Sequence, residues 1–511
     1  MKFAKTIALI TAMLIMLTAC GYASEAPEQP EVTVISVSDT AVTVDGAPAG
    51  TDASAAVYTA NDIIYYESGK DFTYGEGVAD DAHSAAEAAA HTVIHITQPG
   101  TYSLSGAISR GQIAVDLGED AEDDPEAVVT LILDGLDITC EVAPAIIFNN
   151  VYECGDSDAE TAARNVDTTA AGANVIIADG AENNVSGAYV ARIYDPDSVE
   201  LNEDGTEVAE AKKLHKYDAA FYSKMSMNVS GGEENTGVLN INAVNEGLDS
   251  ELHLTINGGN INNVSGNDGI NTNEDNVSVT TINGGVVTIS VTGATGEGDG
   301  IDSNGWLVIN GGTVIAEACA FSGDAGIDSD MGIHIIGGTV IATGHMLDRI
   351  EDGGQTYAVF NFTQKLSGDS EIRLLDSTGN ALMTRNIQND YSILIYSSPE
   401  LVPGTYALYS GETQLAAQSG GMYGGAGRHG MMREDFDPSE VPEGFEFPGN
   451  GERPEKPEGD GETPDGSTER PGKNGDFGMQ APGGMTAQGE ASAEIAITEG
   501  GNMFTGVAPL E

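Results

Sequence analysis

GEGDGIDSNGWLVINGGTVIA, residues 296–316, is the stretch whose reading decides the fold. It runs from an acidic, glycine-rich turn into a short apolar segment, then Gly311-Gly312, then a second apolar segment. The same Gly pair recurs at Gly231-Gly232, Gly258-Gly259, Gly284-Gly285 and Gly337-Gly338, at spacings of 27, 26, 27 and 26 residues. A fixed period of this size without helical periodicity marks a solenoid. The runs beside each pair are strand-like: LHLTI, VSVTTI, WLVI and GIHII before it, NINNV, VVTISV, TVIAEA and TVIAT after it. Two positions beyond the last four pairs stand Ile261, Val287, Val314 and Val340. Such a ladder of β-branched residues suits the inside of a parallel β-helix. Asn257, Asn283 and Asn310 precede the pairs and are placed to hydrogen-bond along the axis, while glycine permits the positive-φ corner.

The expected fold class is therefore all-β: a right-handed, single-stranded parallel β-helix with a small C-terminal β module and disordered tails. Strand-turn-strand segments such as HTVIHITQPGTYSLSGAISRGQIAVDL carry the helix upstream, giving bounds of 85–345. Residues 346–420 lose the period and read as a small β cap. Residues 421–511 are Gly-, Pro-, Met- and Glu-rich and read as a disordered tail. Residues 21–84 are expected to be a tether and entry segment, with little core material before about residue 60. Trp306, the sole Trp, is expected in the core, in register with Ile333.

The chain has 511 residues and a formal net charge of -60, which repels a phosphate backbone and excludes nucleic acid as a partner. At the N-terminus Lys2 and Lys5 precede an apolar run, Ile7 to Leu17, too short to span a membrane comfortably and shaped like a secretory signal. It ends in Leu17-Thr18-Ala19-Cys20, which resembles a bacterial lipobox. That resemblance implies a signal peptide over 1–20, acylation of Cys20, and a protein lipid-anchored at the extracellular face of the membrane, with no other membrane contact. Cys140, Cys154 and Cys319 remain; two readings stand, a Cys140–Cys154 pair or small buried residues.

Four acidic turns share one pattern: Asn245-Glu246-Gly247-Leu248-Asp249-Ser250, Asn267-Asp268-Gly269-Ile270-Asn271-Thr272, Gly298-Asp299-Gly300-Ile301-Asp302-Ser303 and Asp324-Ala325-Gly326-Ile327-Asp328-Ser329. The apolar residue points in and its neighbours carry oxygens out. Stacking brings successive turns to about 5 Å, the strand spacing of a sheet. Carboxylates that close repel, and a hard cation taking six to eight oxygens relieves the repulsion. Calcium is the expected cofactor, held by Glu246, Asp249, Asp268, Asn271, Asp299, Asp302, Asp324 and Asp328. Asn271-x-Asn273-x-Asp275 starts like an EF-hand loop but lacks its Gly and terminal Glu.

The [ND]-x-G-[IL]-[DN]-[ST] turns, the ING-G-x-[VI] strands, DAAFYSKMSMNVSG and PGTYSLSG together resemble the carbohydrate-binding β-helix lipoproteins of Gram-positive bacteria. The likeness covers roughly residues 85–410. It implies a polysaccharide-lyase-like fold, calcium in the helix, binding of cellulose- and pectin-like polysaccharides, and no established catalysis. Ser or Thr follows the acid here where those relatives often carry Lys. The one basic and aromatic cluster, EAKKLHKYDAAFYSK, supplies the candidate glycan contacts Lys212, Lys213, Lys216, Tyr217, Tyr222 and Lys224. The expected function is non-catalytic polysaccharide binding at the cell surface. The alternatives are a polysaccharide lyase, which needs a base beside calcium, and a structural adhesin or spacer. A hydrolase would need a carboxylate pair such as Asp299 and Asp302.

Overall fold

The computed structural model describes residues 32–420 and 490–510. They are nearly all strand; helix among them is confined to Ala85–Ala88 and the 3-10 turns Ala79–Asp81 and Glu119–Asp123. No helix among the described residues is long and apolar enough to cross a membrane. Cys20 and the rest of the signal segment lie outside them, as do residues 421–489 of the tail.

Each period lays one strand in each of three stacks. One period contributes Ile270–Thr272, Val279–Ile282 and Val286–Val291; the next contributes Ile301–Ser303, Trp306–Ile309 and Thr313–Glu317. Within every stack these strands pair in parallel with their counterparts in the next period. The first stack carries Phe221, Leu248, Ile270 and Ile301 on one register line, continued by a bridge to Ile327. The second aligns Val229, Ile256, Ile282, Ile309 and Ile335. The third aligns Leu239, Ile261, Val287, Val314 and Val340. These aligned side chains are at most 1% exposed and share one core. Burying one such aliphatic side chain contributes roughly 1.5–3 kcal/mol, so the aligned residues dominate the stability of each period.

The Gly pairs make the corner between the second and third stacks. Gly285 and Gly312 sit at φ +81° and +78°, and a Cβ on Gly285 would lie 2.5 Å from the Gly259 carbonyl oxygen. Both the handedness of the backbone and the close approach of neighbouring periods therefore demand glycine. Gly231-Gly232 departs from the other pairs. Asn235 takes the left-handed conformation there, at φ 52°, and its Oδ1 accepts from the Gly259 N–H at 3.1 Å. The Asn ladder forms: Asn283 Nδ2 donates to Asn257 Oδ1 at 2.8 Å, and Asn310 Nδ2 to Asn283 Oδ1 at 2.9 Å.

Four expectations are corrected. Part of the expected tether is structured: Val32–Ser38 pairs in parallel with Gly100–Ile108 and buries Ile35 and Val37. Its alternation, VTVISVS, outweighs the polar composition around it. Residues at the end of the expected disordered tail form strands, because Gly501–Pro509 pairs with Tyr357–Leu366 and buries Phe504 and Val507. Trp306 faces Gly332 rather than Ile333 and is only half-buried, outside the core. The acidic turns are partly strand: Glu246–Ser250, Ile270–Thr272 and Ile301–Ser303 lie in the first stack.

Beyond the last period, Tyr391–Ser397 pairs antiparallel with Thr339–Gly344, so that strand's backbone groups are not left as a bare edge. Ile315 and Ile341 point away from the aligned interior and pack with Phe360, Leu394 and Phe504 in a second core.

Candidate functional site

Along the first stack, Tyr222, Asp249, Asn271 and Asp302 occupy one line of register, with Ile147 before them. Period-2 alternation turns them away from the aliphatic interior. Asp249 is nonetheless fully buried and Glu246 and Asn271 nearly so. Asp302 and Asp328 keep part of their surface open.

The connections preceding these strands carry the other acids, which serve as staples between periods. Asp268 Oδ1 accepts from the Asp299 N–H at 2.6 Å, Asp299 Oδ1 from the Ala325 N–H, and Asp324 Oδ2 from the Gly298 N–H. Each carboxylate thus caps a backbone donor of a neighbouring period, the satisfaction that a buried amide requires. All eight acidic and amide residues expected from the sequence lie on the first stack or in the connections that lead into it.

Several oxygens there have no partner. Asn271 Nδ2 donates to Glu246 Oε1 at 3.3 Å, and Asn273 Nδ2 to Asp249 Oδ1 at 2.7 Å. Glu246 Oε2, Asp249 Oδ2 and Asn271 Oδ1 are buried without a hydrogen bond. Burial, reinforced by neighbouring carboxylates, pushes the acids of Glu246, Asp249 and Asp299 well above the ordinary carboxylate range. Burial raises Asp268 to about 7 and Asp302 and Asp328 each to about 8. Asp348, beside Asp328, is raised by burial as well and accepts from the Ser329 N–H at 3.1 Å. Its pattern-free position, outside the repeat, hid it from the sequence reading. Among the described residues no three Asp, Glu, His or Cys side chains form a ready-made metal cluster.

The basic and aromatic cluster lies beside this ladder, arranged differently from the expectation. Tyr217 and Tyr222 are buried and pack edge to face with ring centroids 5.3 Å apart, so neither offers a face to a sugar. Tyr222 donates to Glu251 Oε1 at 2.9 Å, and Lys216 pairs with Glu251 Oε2 at 2.9 Å. Lys213 pairs with Glu76 at 2.6 Å, Arg192 with Asp218 at 2.6 Å, and Lys224 donates to Asn150 at 3.4 Å. Lys212 is exposed. Intrachain partners in an acid-rich chain have absorbed most of the charges that sequence reasoning assigned to a glycan. Cys140, Cys154 and Cys319 are free thiols, so no Cys140–Cys154 disulfide is present.

A groove of about 420 Å³ lies elsewhere, over the outer face of the second stack. Its floor is a double line of polar side chains, Asn228, Thr255 and Thr281 beside Asn257, Asn283 and Asn310. Its wall is the segment 164–169. Thr168 fixes that wall, donating to Asn228 Oδ1 or Thr255 Oγ1, each at 2.7 Å. Arg164 Nη1 lies 2.9 Å from His334 Nδ1. The groove carries no sequence signal of its own beyond the Asn ladder, which lies along its floor.

Residues 90–357 match the family described as carbohydrate-binding domain-containing protein. The chain belongs to that family. A curated relative, the carbohydrate-binding domain-containing protein of Acetivibrio thermocellus, is 29% identical over 169 residues, 33% of this chain. The aligned region spans 43% of that relative's length. A solved structure, the polysaccharide lyase-like protein from C. thermocellum in a gadolinium derivative, aligns at a TM-score of 0.36 and 20% identity, covering 61% of this chain and 90% of its own. The family match includes all the strands that carry the acidic ladder and the groove.

Proposed function

We propose that the protein is a non-catalytic, calcium-bearing polysaccharide-binding lipoprotein of the cell surface, its three stacks being the faces of one right-handed parallel β-helix. Family membership supports the polysaccharide partner. The observation that carries the calcium reading is the set of buried, unpartnered oxygens on Glu246, Asp249 and Asn271. Buried carboxylate oxygens without donors are costly, and a hard oxygen-loving cation is the species that satisfies them. Asp249 and Glu246, with Asn271 and backbone carbonyls, are the residues fitted to hold it. Asp268, Asp299, Asp302, Asp324 and Asp328 extend the ladder. Calcium would supply charge neutralisation between periods.

The non-catalytic reading rests on the basic groups. A lyase needs a base near neutral pH, and most of the candidate bases are taken up: Lys213, Lys216 and Arg192 are held in ion pairs and Lys224 donates to Asn150, with Lys212 out on the exposed surface. Two measurements test the proposal. In a panel of neutral and acidic plant polysaccharides, the purified protein is expected to retain at least one glycan without releasing unsaturated products; product release overturns the non-catalytic reading. Cys20→Ala is expected to abolish labelling by a fatty-acid probe and leave precursor or released protein. Continued labelling removes the lipobox.

A further inference from the structure

We infer that the groove over the second stack is the glycan-binding site, and that its ligand is an uncharged, extended polysaccharide lying along the stacking axis. This rests on the polysaccharide-binding reading above and deepens it. The groove's floor repeats a Thr and an Asn with each period, Thr255 with Asn257 and Thr281 with Asn283, at the strand spacing of about 4.8 Å. Thr255 is buried and its hydroxyl is taken by Thr168, so the groups open to a chain of sugar hydroxyls are Thr281 and the regularly spaced Asn257, Asn283 and Asn310 amides. The ladder's internal bonds leave the Asn257 amide nitrogen and the Asn310 carbonyl oxygen unpartnered among the described residues, and Thr281 Oγ1 is likewise free. Hydroxyls, which both donate and accept, satisfy all three.

Charge decides the class of glycan. The groove holds one cation, Arg164, and one anion, Asp167, so its walls carry no net charge within a chain of net charge -60. A polyuronate would meet the repulsion of the whole molecule with no cationic surplus in the groove to offset it. Uncharged chains meet none. The lining contains no aromatic ring. Affinity therefore comes from many modest hydrogen bonds and is expected to grow with glycan length.

The test is retardation of the full chain in native gels cast with soluble neutral glucan, xylan or mannan, or with polygalacturonate, all with calcium present. Thr281→Trp fills the groove at its half-buried midpoint. Arg164→Ala, on the exposed wall, leaves the aligned core untouched. Both variants are first required to melt like the parent. Each is expected to lower affinity for the retained neutral glycan by on the order of tenfold, while Lys70→Ala, in a surface ion pair with Glu67 outside the groove lining, changes nothing. A parent retained by a neutral glycan with both groove variants retained equally overturns this site but leaves the polysaccharide-binding reading standing. Retention by polygalacturonate alone overturns the neutral class. A parent retained by no glycan overturns both readings.

Discussion

Val287→Asp is expected to abolish the cooperative native transition or lower stability by about 5 kcal/mol, the range reserved for a buried unpaired charge or a polar group without partners. Val287 is 0% exposed and lies between Ile261 and Val314 on the inner line of the third stack. An aspartate there must either hold its proton or stay charged among aliphatic side chains. Val286, one residue earlier, is 38% exposed, because alternate residues of a strand face opposite sides. Val286→Asp is therefore expected to change stability by no more than about 0.5 kcal/mol. Circular dichroism melts of the two variants read the difference directly. Equal melting temperatures would mean that the third stack's register is wrong by one residue.

Removing calcium is expected to produce the second large effect. A cation that binds only the folded chain stabilises it by about 2.7 kcal/mol at a hundredfold excess over its dissociation constant. Without it, burial holds Asp302 and Asp328 at about 8, with Asp299, Asp249 and Glu246 also raised. The folded state then keeps protons that the unfolded chain releases above about pH 4. With more protons bound in the folded state, stability falls as pH rises. Chelated protein is expected to be most stable near pH 4–5 and to lose stability up to about pH 8. Calcium requires the deprotonated carboxylates, so its stabilising effect is expected to be larger at pH 8 than at pH 5. Asp249→Asn, whose neutral amide takes up no proton on folding, should raise the melting temperature of the chelated protein above about pH 5 and shrink the calcium response. Differential scanning calorimetry with calcium and with chelator distinguishes these outcomes. A chelated protein that melts identically from pH 5 to pH 8, with no response to added calcium, would reduce the ladder to a set of backbone caps.

The repeat was legible because it is a local property. Val287, Val314 and Val340 declare the inner line through spacing alone, and Gly285 and Gly312 declare the corner because neighbouring backbones leave no room for a Cβ. The same period brought Asp249, Asn271 and Asp302 into one row, so sequence determined which acids stack. The strands at Val32–Ser38 and Gly501–Pro509 were hidden by their neighbours' composition; each docks on a strand far away in the chain, Gly100–Ile108 and Tyr357–Leu366.

What only the tertiary structure decided is environment. Sequence named Tyr217, Tyr222 and Lys216 as surface groups for a sugar. Folding buries both rings and pairs the lysine with Glu251, because segments without a period pack wherever charge and apolar surface find a partner. The burial of Asp249 beside Glu246 is a property of contacts no spacing encodes. The groove depends likewise on Thr168 reaching across to Asn228 and Thr255, 60 and 87 residues away. Periodicity determines what each period places in line, because strand pairing repeats identical geometry. What the aperiodic segments cover or leave open depends on chain closure over long separations, and only the folded molecule fixes it.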